Sequence, residues 1–123
     1  MVAVVALVAW TASGAVGLVL LRRWPGRPRT AWLHLATATF GLVCWVAYLA
    51  ADRPHWLGWS VFAWLFVVNG LGDLLMVGGR TVGGRAYLAA ARRVLSGRRP
   101  LATAHALLAP TILVLVLVSA LDR

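Results

Sequence analysis

The chain has 123 residues, 62% of them hydrophobic, with twelve basic residues against three acidic ones and a formal net charge of +9. A soluble domain is roughly 45–50% apolar, so this composition excludes an ordinary water-soluble fold, and the length leaves room for one domain. Every cation is an Arg, and they gather between apolar runs instead of along one soluble face, which argues against a nucleic-acid partner and for membrane topology.

The first run, about residues 2–21, carries no charge. At about 1.5 Å per residue it covers roughly the 30 Å of a hydrocarbon core. It has no positive region ahead of it, as a cleavable signal peptide would, so it is expected to stay in the mature protein. Arg22 and Arg23 close it, and a short connection (22–30) with Pro25 and Pro28 cannot continue the helix. Thr30 is the expected N-cap of a second span, about 31–51. That span holds the single Cys44, which excludes an intramolecular disulfide and reads as an inert buried thiol. After the turn at Asp52, Arg53 and Pro54, with His55 read as a solvated loop residue, a third span runs over about 56–77. A connection (78–100) leads to a fourth span, about 101–121. The expected fold is an all-α integral membrane protein: four transmembrane helices as two antiparallel hairpins in a single domain, residues 1–123.

Four Arg follow the first span and six follow the third, against one in the middle turn and one at the C-terminus. The positive-inside rule then makes both Arg-rich connections cytoplasmic and puts both termini outside, in a multi-pass protein of the cytoplasmic membrane. Trp24 and Trp32 are expected in the inner aromatic belt, and Tyr48, Trp56 and Trp59 in the outer one.

Within the second Arg-rich connection, Tyr87, Leu88, Ala91, Val94 and Leu95 fall on one helical stripe, the pattern of a short interfacial helix. Arg85, Arg92, Arg93, Arg98 and Arg99 then form a surface for anionic headgroups or for a membrane-protein partner. Gly78-Gly79 and Gly83-Gly84 flank Arg80, either as an anion-binding nest or as loop glycine. A faint internal repeat runs through the chain. Matching the His residues pairs His34 with His105, and matching glycines pairs Val16-Gly17 with Leu71-Gly72. The two offsets differ, so a duplication needs a length change between the halves, which would be parallel repeats about an axis along the membrane normal.

Ionisable groups inside a span are costly and face a bundle interior or cavity. His34, Asp73 and His105 fall at one depth near the cytoplasmic boundary, with Asn69 one turn from Asp73 and Thr37 and Thr103 within a turn of the two His. Pro110 frees the carbonyl of Ala106 and is expected to bend the fourth span. Gly14 and Gly17, with Ser13, read as a close-packing face, for homo-oligomer contact as one option.

Several chemistries fit this cluster. His34 and His105 as axial ligands of a b-type haem make a redox module, and in architecture this resembles membrane four-helix b-type cytochromes, which carry two His pairs where this chain has one. Asp73 with a His makes a relay for a small proton-coupled carrier, while two His and one Asp without Cys are thin for a metal. The remaining reading is structural, with the polar groups as packing contacts between helices. No Walker loop, G-x-S-x-G or H-E-x-x-H is present. The leading expectation is therefore an accessory or assembly subunit of a membrane complex without enzymatic activity, with the haem module and the carrier as alternatives.

Overall fold

The computed structural model describes residues 1–24, 26, 28–78 and 83–122, so expectations for Pro25 and for the glycine nest at Arg80 lie outside the described residues. Five helices follow in order: α1 (Val2–Arg22), α2 (Arg29–Ala50), α3 (His55–Met76), α4 (Gly84–Leu95) and α5 (Pro100–Leu121). Four of them, with 21 or 22 residues, are long and apolar enough to cross a membrane. The fifth, α4, has 12 residues, or about 18 Å, and is too short to do so.

The long helices pack as a ring in which α1 meets α2 and α5, and α3 meets the same two, while the backbones of α1 and α3, and of α2 and α5, stand apart across the ring, with α2 and α5 touching only through long side chains. Large side chains on α1, α2 and α3 fill the centre. Trp45 is fully buried, stacks on Tyr48 with centroids 4.5 Å apart, and donates its indole N–H to the Ala3 carbonyl at 3.1 Å. Tyr48, 1% exposed, donates its hydroxyl to the Ser119 carbonyl at 2.9 Å. Each polar tip has a partner, and leaving one without it in the core would cost about 1–3 kcal/mol. Tyr48 therefore belongs to the core and not to an interfacial belt, whereas Trp24, Trp32, Trp56 and Trp59 do face outward.

The repeat that was faint in sequence is plain in the packing. The positions Ala3, Ala6, Trp10, Ser13 and Gly17 of α1 recur at one constant spacing as Gly58, Val61, Leu65, Val68 and Gly72 of α3, and the first four of each set are buried. Gly41, Trp45 and Tyr48 of α2 recur at a longer spacing as Ile112, Val116 and Ser119 of α5, all buried. The spacing is longer because α4 and its turns are inserted between α3 and α5. Both sets keep three- and four-residue steps, the period that holds one helix face inward.

Two local expectations change. Thr30 does not cap α2: the helix begins at Arg29 behind Pro28, whose fixed ring sets the entry, and the Thr30 hydroxyl is buried without a partner. His55 is the first residue of α3 and accepts the indole N–H of Trp59 at 3.0 Å, one turn on. Pro110 lies inside α5, which runs as one helix to Leu121. Between α2 and α3, Asp52 and Arg53 both take left-handed φ, at 58° and 59°, and the Arg53 N–H bonds the Tyr48 carbonyl at 2.8 Å. This six-to-one closure ends α2 in the manner that usually recruits Gly.

Candidate functional site

The pseudo-symmetry brings one His from each half to the middle of the ring. His34 comes from α2 and His105 from α5, helices on opposite sides of the ring, and their imidazoles meet with centroids 6.1 Å apart and planes at 84°. Each ring is anchored on a helix beside its own. His34 Nδ1 lies 3.1 Å from the Val68 carbonyl oxygen on α3. His105 Nδ1 lies 3.0 Å from the Ser13 carbonyl oxygen on α1 and 3.1 Å from the Ser13 hydroxyl oxygen.

A carbonyl oxygen only accepts, so Nδ1 carries the proton in both rings, and in the neutral imidazole Nε2 keeps its lone pair. Neither Nε2 has a hydrogen-bond partner among the described residues. They are not sealed in either, since the one enclosed, unpartnered side-chain polar atom among those residues is the Thr30 hydroxyl. Glycine makes the room. A Cβ at Gly17 would stand 3.0 Å from His105 Cε1, and one at Gly72 would stand 3.4 Å from His34 Cε1. Each Gly lies one helical turn beyond the residue whose carbonyl anchors the same ring, Ser13 or Val68, so anchor and clearance share one face.

In what they offer the two Nδ1 atoms, the halves differ in one group. Ser13, buried on α1, offers His105 a hydroxyl as well as a carbonyl, and its counterpart Val68 offers His34 only the carbonyl.

The other residues expected in the cluster do not join it. Asp73 and Asn69 share a face, as their spacing requires, but stand one residue round the helix from Gly72 and Val68. One residue is about 100°, which turns Asp73 outward. Its carboxylate faces Tyr87 of α4, whose hydroxyl is held above its ordinary value by burial first and by that negative charge second. Thr37 turns its hydroxyl back on its own helix, to the carbonyls of Leu33 at 2.9 Å and His34 at 3.0 Å. Thr103 donates to Val94 of α4 at 2.6 Å and to Arg99 at 3.2 Å, tying α4 to the start of α5. Of the close-packing face expected on α1, Ser13 and Gly17 are at the site while Gly14 has nothing within 4 Å. Sequence reasoning paired Gly17 with Gly72 but did not assign them, or the Ser13 and Val68 carbonyls, to the His site. The common four-residue step from anchor to glycine was the available signal.

Among the described residues, no group of three or more His, Cys, Asp or Glu could hold a metal ion through protein ligands alone. The donor set is two imidazoles, which suits a group that brings its own equatorial ligands. No known family, curated protein or solved structure matches the chain.

Proposed function

We propose that this protein is a membrane-embedded redox module that holds one b-type haem between His34 and His105. What carries the reading is the pair of imidazoles facing each other from non-adjacent helices, 6.1 Å between centroids, each tied to a backbone carbonyl through Nδ1. A ligating His commonly donates its other ring N–H to a carbonyl, which fixes the tautomer and raises the basicity of the coordinating nitrogen. A bound haem would supply one-electron chemistry. The residues of this chain fix each Nδ1–H on a carbonyl and so leave the Nε2 lone pair of both rings open to coordinate. In this proposal the four long helices form two antiparallel hairpins in the cytoplasmic membrane, termini outside, as the Arg distribution argues.

The test is spectroscopic. The protein, purified in detergent from cells with ample haem, is expected to show a reduced-minus-oxidised difference spectrum and a pyridine haemochrome of one haem per chain, lost in His34→Ala and His105→Ala. A folded preparation without haem under those conditions ends the proposal.

A second reading, an accessory or assembly subunit, draws on the outward face of α1, where Gly14 has nothing within 4 Å and Ala15 is exposed. Small residues of this kind let another helix approach closely. Gentle solubilisation and pull-down tests it, and recovery of the protein alone counts against it. Asp73, the carboxylate of the carrier alternative, faces Tyr87 of α4.

A further inference from the structure

The apolar stripe of α4 does not go wholly into the bundle. Ala90 is buried and Ala91 and Val94 are half-buried, while Leu88 and Leu95 are 57% and 51% exposed. Leu88 and Leu95 are seven residues apart, two turns, and so line one edge of the helix. Arg85 and Arg92 stand at the same two-turn interval along the neighbouring edge, both exposed, and a shallow groove runs between them over Leu88 and Ala89. Two parallel rows result, one apolar and one cationic.

The attachments of α4 fix its place. Thr103, in the first turn of α5, bonds Val94, and Tyr87 meets Asp73 near the end of α3. The helix therefore lies where α3 ends and α5 begins, at the level where a bilayer passes from acyl chains to headgroups if the long helices span it.

We infer that Arg85 and Arg92, with Leu88 and Leu95 beside them, form a binding site for an anionic glycerophospholipid: the guanidinium groups take the headgroup phosphate and the leucines sink among the acyl chains. Three observations select this occupant. The charge is complementary, with Arg93, Arg98 and Arg99 adding to it and no acidic residue between positions 83 and 122. Leucine flanked by arginine matches the layering of the interface itself, apolar below and phosphate above. The planar guanidinium fork also gives paired hydrogen bonds to phosphate oxygens. The site rests on a membrane setting for the four long helices and is independent of haem.

The test uses the full-length protein in nanodiscs of phosphatidylcholine with or without phosphatidylglycerol. Native mass spectrometry of the released protein reads retained lipid, and hydrogen exchange reads amides 85–95. The site predicts selective retention of phosphatidylglycerol and slower exchange in α4 when it is present. Arg85→Gln with Arg92→Gln is expected to weaken retention about thirtyfold, from the contribution of each Arg near an anionic surface, while Arg53→Gln in the α2–α3 turn leaves it unchanged. Equal retention of the two lipids overturns the inference. So does a double variant that binds like the parent, or protection of α4 that appears only with a co-purified protein.

Discussion

His34 and His105 meet at 84° between ring planes, and the angle follows from their anchors. Each Nδ1 is held by a carbonyl on a different helix, Val68 on α3 and Ser13 on α1, so rotating either ring breaks its hydrogen bond. If haem binds in this arrangement, the ferric protein should give the highly anisotropic low-spin electron paramagnetic resonance signal of perpendicular imidazoles. The rhombic signal of parallel rings would show that the site rearranges on binding.

Three glycines at the helix contacts should respond to alanine in graded fashion. At Gly72 the new Cβ meets His34 at ordinary contact distance, 3.4 Å, so the helix-propensity gain dominates and Gly72→Ala should be neutral or stabilising by up to about 1 kcal/mol. At Gly17 the distance is 3.0 Å to His105, and moving that ring strains its bonds to Ser13, for a net loss on the order of 1 kcal/mol. At Gly41 the Cβ falls 2.9 Å from Trp10 and 3.0 Å from Trp64, two indoles held on separate helices. Gly41→Ala should cost about 1–3 kcal/mol. Denaturation in a fixed detergent ranks the three, and any other order contradicts the packing.

Ser13 makes the two ligands unequal. Its hydroxyl adds a second acceptor at 3.1 Å to the His105 N–H, which pushes electron density toward Nε2 and strengthens it as a donor. Ser13→Ala should therefore raise the midpoint potential of the proposed haem and cost about 0.5–1.5 kcal/mol of stability. A potentiometric titration checks the sign. A lower or unchanged potential would assign the hydroxyl a packing role only.

The α2–α3 turn carries a local strain that a single change relieves. Asp52 sits at φ 58° in the position of the helix stop that favours Gly. Asp52→Gly should raise stability by about 0.5–1 kcal/mol, the left-handed penalty less the extra freedom Gly gives the unfolded chain. Thermal unfolding checks it, and a lower midpoint would mean that the Asp52 side chain holds the turn.

The sequence by itself determined the four long helices, because uncharged apolar runs of this length have few other uses, and their ends fell within two residues of the expected bounds. It also carried both pairings of the repeat, His34 with His105 and Gly17 with Gly72. The tertiary structure decided what those pairings mean. Depth along a helix is legible from residue count, whereas rotation about its axis is set by packing against neighbours. His34, Asp73 and His105 were placed at one level for the first reason. For the second, the two His turned inward on Ser13 and Val68 while Asp73, one residue past Gly72, turned out to Tyr87. A step of about 100° separates a member of the site from a contact of α4, and only the assembled bundle fixes which is which.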